Sequence, residues 1–186
     1  MGPLAKILLE MGCTVSGSDL QPSQTTAYLE KLGARIYFKH APENVNGATQ
    51  VVYSTAIPSG NPEVMAARQK GIAVLHRSEV LAQLLNAKRG IAVAGAHGKT
   101  TVTSMIALCL EQAGLDPTVL IGAHFAPFGP GAKHGHGEFV VAEADESDKS
   151  FLRYRPEVGI VTGIEPDHLE NYNGIFAELV DGYRQF

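Results

Sequence analysis

Lys99 and Thr100 follow Gly95 and Gly98 in the stretch AVAGAHGKTTVTS, residues 92–104. Those residue types at that spacing suit one task, the holding of a phosphate. Glycine lets the backbone come close to an anion. Amides of the loop and of a helix N-terminus converge on it. Lys99 can reach the terminal oxygens, and Thr100 can offer its hydroxyl to Mg2+. The longer Walker pattern, G-x-x-x-x-G-K-[ST], wants a glycine where Val93 stands. A chance Gly-Lys-Thr that merely starts a helix is the competing reading. A second group of reactive residues follows in EFVVAEADESD, residues 138–148, where Glu143, Asp145, Glu146 and Asp148 crowd the end of an apolar run. Such acids repel one another, and a divalent cation would relieve that. The alternative is an ordinary solvated acidic loop. VGIVTGIEPDH, residues 158–168, repeats the form with Glu165, Asp167 and His168.

Seven histidines need sorting. His97 lies inside the phosphate loop, and His168 lies beside the acids. His134 and His136 form an H-x-H in a glycine-rich turn, expected to be an exposed loop rather than a metal site. His40, His76 and His124 fall at strand ends with no partner signal.

The elements that must position these residues alternate between strand and helix. GIAVAG, residues 90–95, predicts a buried strand, and TVTSMIALCLEQAG, residues 101–114, predicts an apolar helix stopped by Gly114. Residues 138–148 and 158–168 each predict a buried strand running into its acids. Three strand ends would then bring Lys99 and Thr100, Glu143 and His168 to one edge of a single sheet. Ligands bind at that edge, the carboxyl ends of parallel strands, in open α/β folds. Upstream, helices are predicted over 3–11, 23–33, 61–71 and 78–90, with Ser23, Asn61 and Ser78 as helix starts and Gly12 and Gly33 as stops. Strands are predicted over 13–19, 35–38, 50–54 and 72–76. This alternation argues for a parallel, doubly wound sheet. A Rossmann unit opens with a strand and a glycine-rich turn before its first helix. Here a helix stands first, so the opening strand and glycine loop are expected to lie before Met1; the alternative is a true start with a smaller sheet.

Composition bounds the rest. The chain of 186 residues is 45% hydrophobic and 18% charged, as in ordinary globular proteins. A net charge of −4 and the lack of any Lys/Arg run give no basic face for nucleic acid. No stretch of about 18 apolar residues predicts a membrane span, and no basic n-region suggests a secretory signal. A cytoplasmic location is the expectation. Cys13 and Cys109 stand in no metal-ligand spacing and are expected to pack as small apolar residues.

AVAGAHGKTT, VVAEADESDKSFL and IVTGIEPDHLENY, in that order, resemble the Mur ligases of peptidoglycan synthesis. SGSD (16–19), YSTAIPSGNPEV (53–64) and HRSEVLAQLL (76–85) resemble their first domain. The resemblance covers essentially the whole chain. It also accounts for Val93, because the family's loop is the shorter G-x-x-G-K-[ST] form. It implies an α/β fold with two domains here: a Rossmann-like parallel-sheet domain over residues 1–88 that binds the UDP moiety, and a P-loop NTPase-like domain over 89–186, each continuing beyond the chain.

The resemblance also implies a chemistry. ATP would phosphorylate the lactyl carboxylate of UDP-N-acetylmuramate, and the amine of L-alanine would displace phosphate. The loop residues Gly95, Ala96, His97, Gly98, Lys99, Thr100 and Thr101 would bind ATP. Lys99 and His168 would be catalytic. Thr100, Glu143 and His168 would hold Mg2+, with Glu143 chosen among the acids because it stands nearest the strand end. Ser18, Asp19, Ser54, Thr55, Asp145 and Glu146 would contact substrate. Three positions depart from the family's pattern: Ala96 for Thr, Gly163 for Asn, which removes an amide near the nucleotide, and Glu170 for Asp. Other readings stay open: a relative that attaches a recycled tripeptide to the same nucleotide, a dinucleotide-dependent oxidoreductase built on Asp19, or a nucleotide-binding segment inactive alone.

Overall fold

The computed structural model describes residues 1–122, 125–129 and 131–186, so His124 lies outside the described residues. It is an α/β structure built on parallel strands, in two compact units, Met1–Val80 and Leu81–Phe186.

In the first unit, α1 (Gly2–Glu10) buries Leu4 and Ile7, and Lys6 pairs with Glu10 at 3.0 Å. β1 (Ser16–Ser18) runs parallel to β2 (Arg35–Tyr37), with Ser16 opposite Arg35. α2 (Gln24–Lys31) lies between them in sequence. It starts at Ser23, whose hydroxyl accepts from Thr26 N–H while Thr26 returns a bond to Ser23 N–H. β3 (Gln50–Tyr53) pairs in parallel with β4 (Ala73–His76) across α3 (Pro62–Gln69). Asn61 caps α3 through Glu63 N–H and Val64 N–H, with Pro62 at the first helical position, where its missing N–H costs nothing. The four strands form two separate two-stranded pairs rather than the continuous sheet expected. α4 (Arg77–Asn86) begins directly after β4. Ser78 is therefore a buried residue within the helix and not its cap. The reciprocal contact comes from Glu79, whose carboxylate accepts from His76 N–H at 2.6 Å.

The second unit is one five-stranded sheet in the order β7-β6-β8-β5-β9. β5 (Arg89–Ala94) is central, between β8 (Phe139–Glu143) and β9 (Val158–Val161), both parallel to it. β6 (Thr118–Leu120) is parallel to β8, and β7 (Ala132–Lys133) closes the far edge antiparallel. α5 (Lys99–Gln112) follows β5, and α6 (Phe176–Gln185) ends the chain. Ala92, Val93, Ala94, Val140, Val141 and Val119 are fully buried, as expected of strands flanked on both sides. Beside them Ala107 of α5 packs with Val119, Ile121 and Phe128. A second cluster joins the segment after β8 to α6: Phe151 meets Tyr183 edge-on and stacks on Phe186, each at 5.4 Å.

Two further expectations fail. β9 is not buried: among the described residues it pairs with β5 alone, and Val158 and Val161 are 45% and 42% exposed. Cys13 and Cys109 are both exposed, the first in the turn after α1 and the second on the outer side of α5. Among the described residues no helix is long and apolar enough to cross a membrane.

Candidate functional site

β5 delivers the chain to a loop whose shape its neighbours dictate. Gly95 has φ +134°, and a Cβ there would lie 2.2 Å from Thr162 Oγ1 and 3.0 Å from Gly163 N and O. Only glycine fits so close an approach. Ala96 N–H donates to Gly163 O at 3.0 Å, and Thr162 Oγ1 donates to His97 O with Ala94 O also within 3.2 Å. The loop is thus tied by backbone contacts to the residues that follow β9. Ala96 and Gly163 meet through main-chain atoms, so neither departure from the family's pattern disturbs this brace. Gly98, left-handed at φ +83°, turns the chain into α5, which begins at Lys99 with no side-chain cap. Its first amides therefore face the loop. Thr100 and Thr101 are exposed in that first turn. His97 is 77% exposed, with Nε2 at 3.6 Å from Glu165.

The acids at and beyond the end of β8 are each held by donors of the chain. Glu143 Oε1 accepts from Gly122 N–H at 2.9 Å, which fixes the carboxylate at the sheet edge. Asp145 Oδ1 accepts from Ser147 N–H and Oγ–H, and Asp148 Oδ1 from Ser150 N–H. Glu146 is buried and pairs with Lys99 Nζ at 2.9 and 3.0 Å. The mutual repulsion expected of these acids is therefore already relieved by donors of the chain itself. Tyr172, missed in the sequence, closes this segment: its hydroxyl donates to Glu146 O at 2.7 Å. Burial pushes the Tyr172 phenol up to about 12, and the nearby carboxylates of Glu146, Asp148 and Asp145 add to that.

His168 stands in the loop after β9 with a left-handed φ of +52°, 3.7 Å from Asp167 and 3.6 Å from Glu170. β5, β8 and β9 are mutually parallel, so Lys99 and Thr100, Glu143 and His168 all follow the same edge of the sheet. Among the described residues no three His, Cys, Asp or Glu side chains come together closely enough to enclose a metal ion. Magnesium binds oxygen donors, keeps waters and phosphate oxygens and takes only one or two carboxylates from protein. Glu143 at the strand end and the exposed Thr100 hydroxyl are of the right type. His136 is 88% exposed and held by Asp116, and His134 lies 3.5 Å from Thr118 Oγ1.

The first unit has its own polar cluster at a strand end. Ser18, last residue of β1, donates to Glu63 at 2.6 Å and lies 2.9 Å from His40 Nδ1. With its single proton on Glu63, Ser18 accepts from His40. Glu63 also accepts from Asn44 at 2.6 Å and from Ala41 N–H at 3.3 Å. His40 therefore has partners, contrary to expectation, as does His76, 2.7 Å from Ser78 Oγ. Glu63 had no signal in sequence beyond that of an acid in a helix's first turn. Asp19 is exposed and bends the chain by accepting from Leu20 N–H. Ser54 O and Ile57 N–H close a turn after β3, which leaves Thr55 exposed.

A glycine loop after β5 thus lies beside the strand end that carries Glu143, and comparison with known proteins names the family. The profile of the Mur ligase family, catalytic domain, matches residues 1–89, and that of the Mur ligase middle domain matches residues 93–177. The chain belongs to the Mur ligase family. This Mur ligase chain is 52% identical over its whole length to the UDP-N-acetylmuramate--L-alanine ligase of Symbiobacterium thermophilum, and 48% identical to that of Aquifex aeolicus. It covers 39% and 41% of those two proteins, so it spans about two-fifths of the length of the curated relatives it matches. The crystal structure of the UDP-N-acetylmuramate-alanine ligase of Thermotoga maritima matches all of the chain with a TM-score of 0.92 at 31% identity, over 44% of its own length. The UDP-N-acetylmuramate:L-alanyl-gamma-D-glutamyl-meso-diaminopimelate ligase of Neisseria meningitides matches all of the chain at a TM-score of 0.88 and 30% identity, over 63% of its own length.

Proposed function

We propose that this Mur ligase chain carries the nucleotide-handling part of an ATP-dependent ligase that joins L-alanine to the lactyl carboxylate of UDP-N-acetylmuramate in the cytoplasm. The observation that carries this reading is the identity of about one residue in two, along the whole chain, with proteins named for that reaction. Residues 1–88 would hold the UDP moiety, with Ser18, Asp19, Ser54 and Thr55 at strand ends as its contacts. Residues 89–186 would hold ATP on Gly95–Thr101.

A free carboxylate is a poor electrophile for an amine at neutral pH. Transfer of the γ-phosphoryl group makes it an acyl phosphate. The amine of L-alanine then attacks the carbonyl carbon, and phosphate leaves as the amide forms. Lys99 would draw negative charge from the β- and γ-phosphates as it develops. The amides of the loop and of the first turn of α5 would orient the same oxygens. Thr100, Glu143 and His168 would hold Mg2+, which supplies charge neutralisation at the phosphoryl oxygens. Asp145 would orient the loop after β8 toward the substrate.

The test is a chimera in which this chain replaces the matching part of the Symbiobacterium relative. It should release ADP only when both UDP-N-acetylmuramate and L-alanine are supplied. Lys99→Ala in the same chimera should abolish that release. Full turnover by the Lys99→Ala chimera would refute the assignment.

A further inference from the structure

Lys99 is fully engaged within the chain. Its ammonium donates to Gly95 O at 2.6 Å, to Glu146 Oε1 at 2.9 Å and to Glu146 Oε2 at 3.0 Å. An ammonium carries three protons, so these three acceptors use them all. The pair is secluded: the Glu146 side chain is 5% exposed and that of Lys99 is 20% exposed. Glu146 is also anchored through its backbone, since its carbonyl accepts from Tyr172 Oη–H and from Lys149 N–H at 3.1 Å. The neighbouring acids are spent elsewhere, Asp145 on Ser147 and Asp148 on Ser150. Glu146 thus pairs with Lys99 through both carboxylate oxygens.

We infer that Glu146 is an internal counter-anion that holds the place of a phosphate on Lys99, so that nucleotide binding is an exchange of one anion for another. The inference rests on the nucleotide-binding reading above and extends it. A phosphate oxygen that bonds Lys99 must displace at least one of its three acceptors. Gly95 O is backbone, fixed by a loop that tolerates no side chain at Gly95. The acceptor that yields is the Glu146 carboxylate. Two anions then lie near one cation, and the incoming group must be the stronger partner. A terminal di- or triphosphate meets that condition, and an uncharged nucleoside gains nothing from it. Glu146 is thus a positioning residue that acts through Lys99. It keeps the buried ammonium paired and makes the loop respond to charge.

The chain itself provides the test, by titration calorimetry with ADP and with adenosine, without divalent ions. Glu146→Gln keeps the volume and removes the charge. ADP should bind it about five- to thirtyfold more tightly than wild type, the size of a coupling between adjacent charged groups. Adenosine affinity should not move. Glu146→Asp, which withdraws the carboxylate by one methylene, should shift ADP binding in the same direction by less. A merely structural role would move both ligands together or weaken both. Unchanged or weaker ADP binding by a folded Glu146→Gln chain would overturn the inference, as would a parallel shift for adenosine. In wild type, the 13C resonance of the Glu146 carboxylate should move on addition of ADP and not of adenosine. A resonance indifferent to ADP overturns the inference without any variant. A wild-type chain that binds ADP no better than adenosine would instead bring down the nucleotide reading itself, and the inference with it.

Discussion

Replacing Gly95 with alanine puts a methyl group where the loop after β5 has no room. The backbone there has φ +134°, a region that L-residues reach at a cost of about 1–3 kcal/mol. The new Cβ would also lie 2.2 Å from Thr162 Oγ1 and 3.0 Å from Gly163 N and O. Thr162 cannot turn away freely, because its hydroxyl donates to His97 O and lies against Ala94 O. Overpacking of that kind costs about 1–3 kcal/mol. The two effects together come to about 2–6 kcal/mol. For a chain of this size each kcal/mol lowers Tm by about 2–4 °C, so Tm should fall by roughly 4–24 °C. Gly114→Ala is the control. Its φ is +72° but nothing lies within 4 Å of the new Cβ, so only backbone strain of about 1 kcal/mol remains. Chemical denaturation of both variants, each also combined with Thr162→Ala, separates strain from collision. The cost of Gly95→Ala should shrink by about 1 kcal/mol in the Thr162→Ala background, while that of Gly114→Ala should not. A Gly95→Ala chain within about 0.5 kcal/mol of wild type would refute the collision argument.

Tyr172→Phe leaves Glu146 O without one of its donors and should cost about 1–2 kcal/mol by urea denaturation, with little change in packing. Because the folded phenol titrates at about 12 rather than 10, its contribution is complete below about pH 10 and is lost as pH rises toward 12. Absorbance titration of folded wild type should show two tyrosines ionising late, Tyr172 and Tyr183, whose phenol burial also raises, and Tyr172→Phe should remove one of the two. At the other end of the pH scale, the hydrogen bond from Lys133 holds the Asp116 carboxyl well below the usual carboxylate range, helped by His136 N–H. A lowered folded pKa stabilises above the unfolded value near 3.9, and the gain fades as pH falls below it. Melting temperatures between pH 5 and pH 2 should therefore drop more steeply for wild type than for Asp116→Asn.

The parts of this structure that were legible in sequence are those set by local pattern. The apolar run before Gly95, the Gly-Lys-Thr and the periodic helix after it define β5, the loop and α5 within two residues. Ser23 and Asn61 announce their helices because a short polar side chain can reach back to the first amides. What was illegible depends on neighbours distant in sequence. β9 reads as buried because its apolar run looks like that of β5; only the strand order makes it an edge. β6 and β7, of three and two residues, are too short to show a period. Cys13 and Cys109 declare their type but not which side of an element they face. Glu146 stands 47 residues from Lys99, and nothing in DESD singles it out from Asp145 or Asp148. Their pairing follows from β8 lying beside β5. Glu63 is similar, an acid after a proline that becomes the hub of Ser18, His40 and Asn44 once β1 and α3 meet.

The most direct test of the phosphate-loop claim is a crystal structure of this chain with ADP bound. Oxygens of the β-phosphate should lie roughly 2.7–3.2 Å from Lys99 Nζ and from the first amides of α5. A well-defined ADP whose phosphates lie away from residues 95–101 would contradict the account.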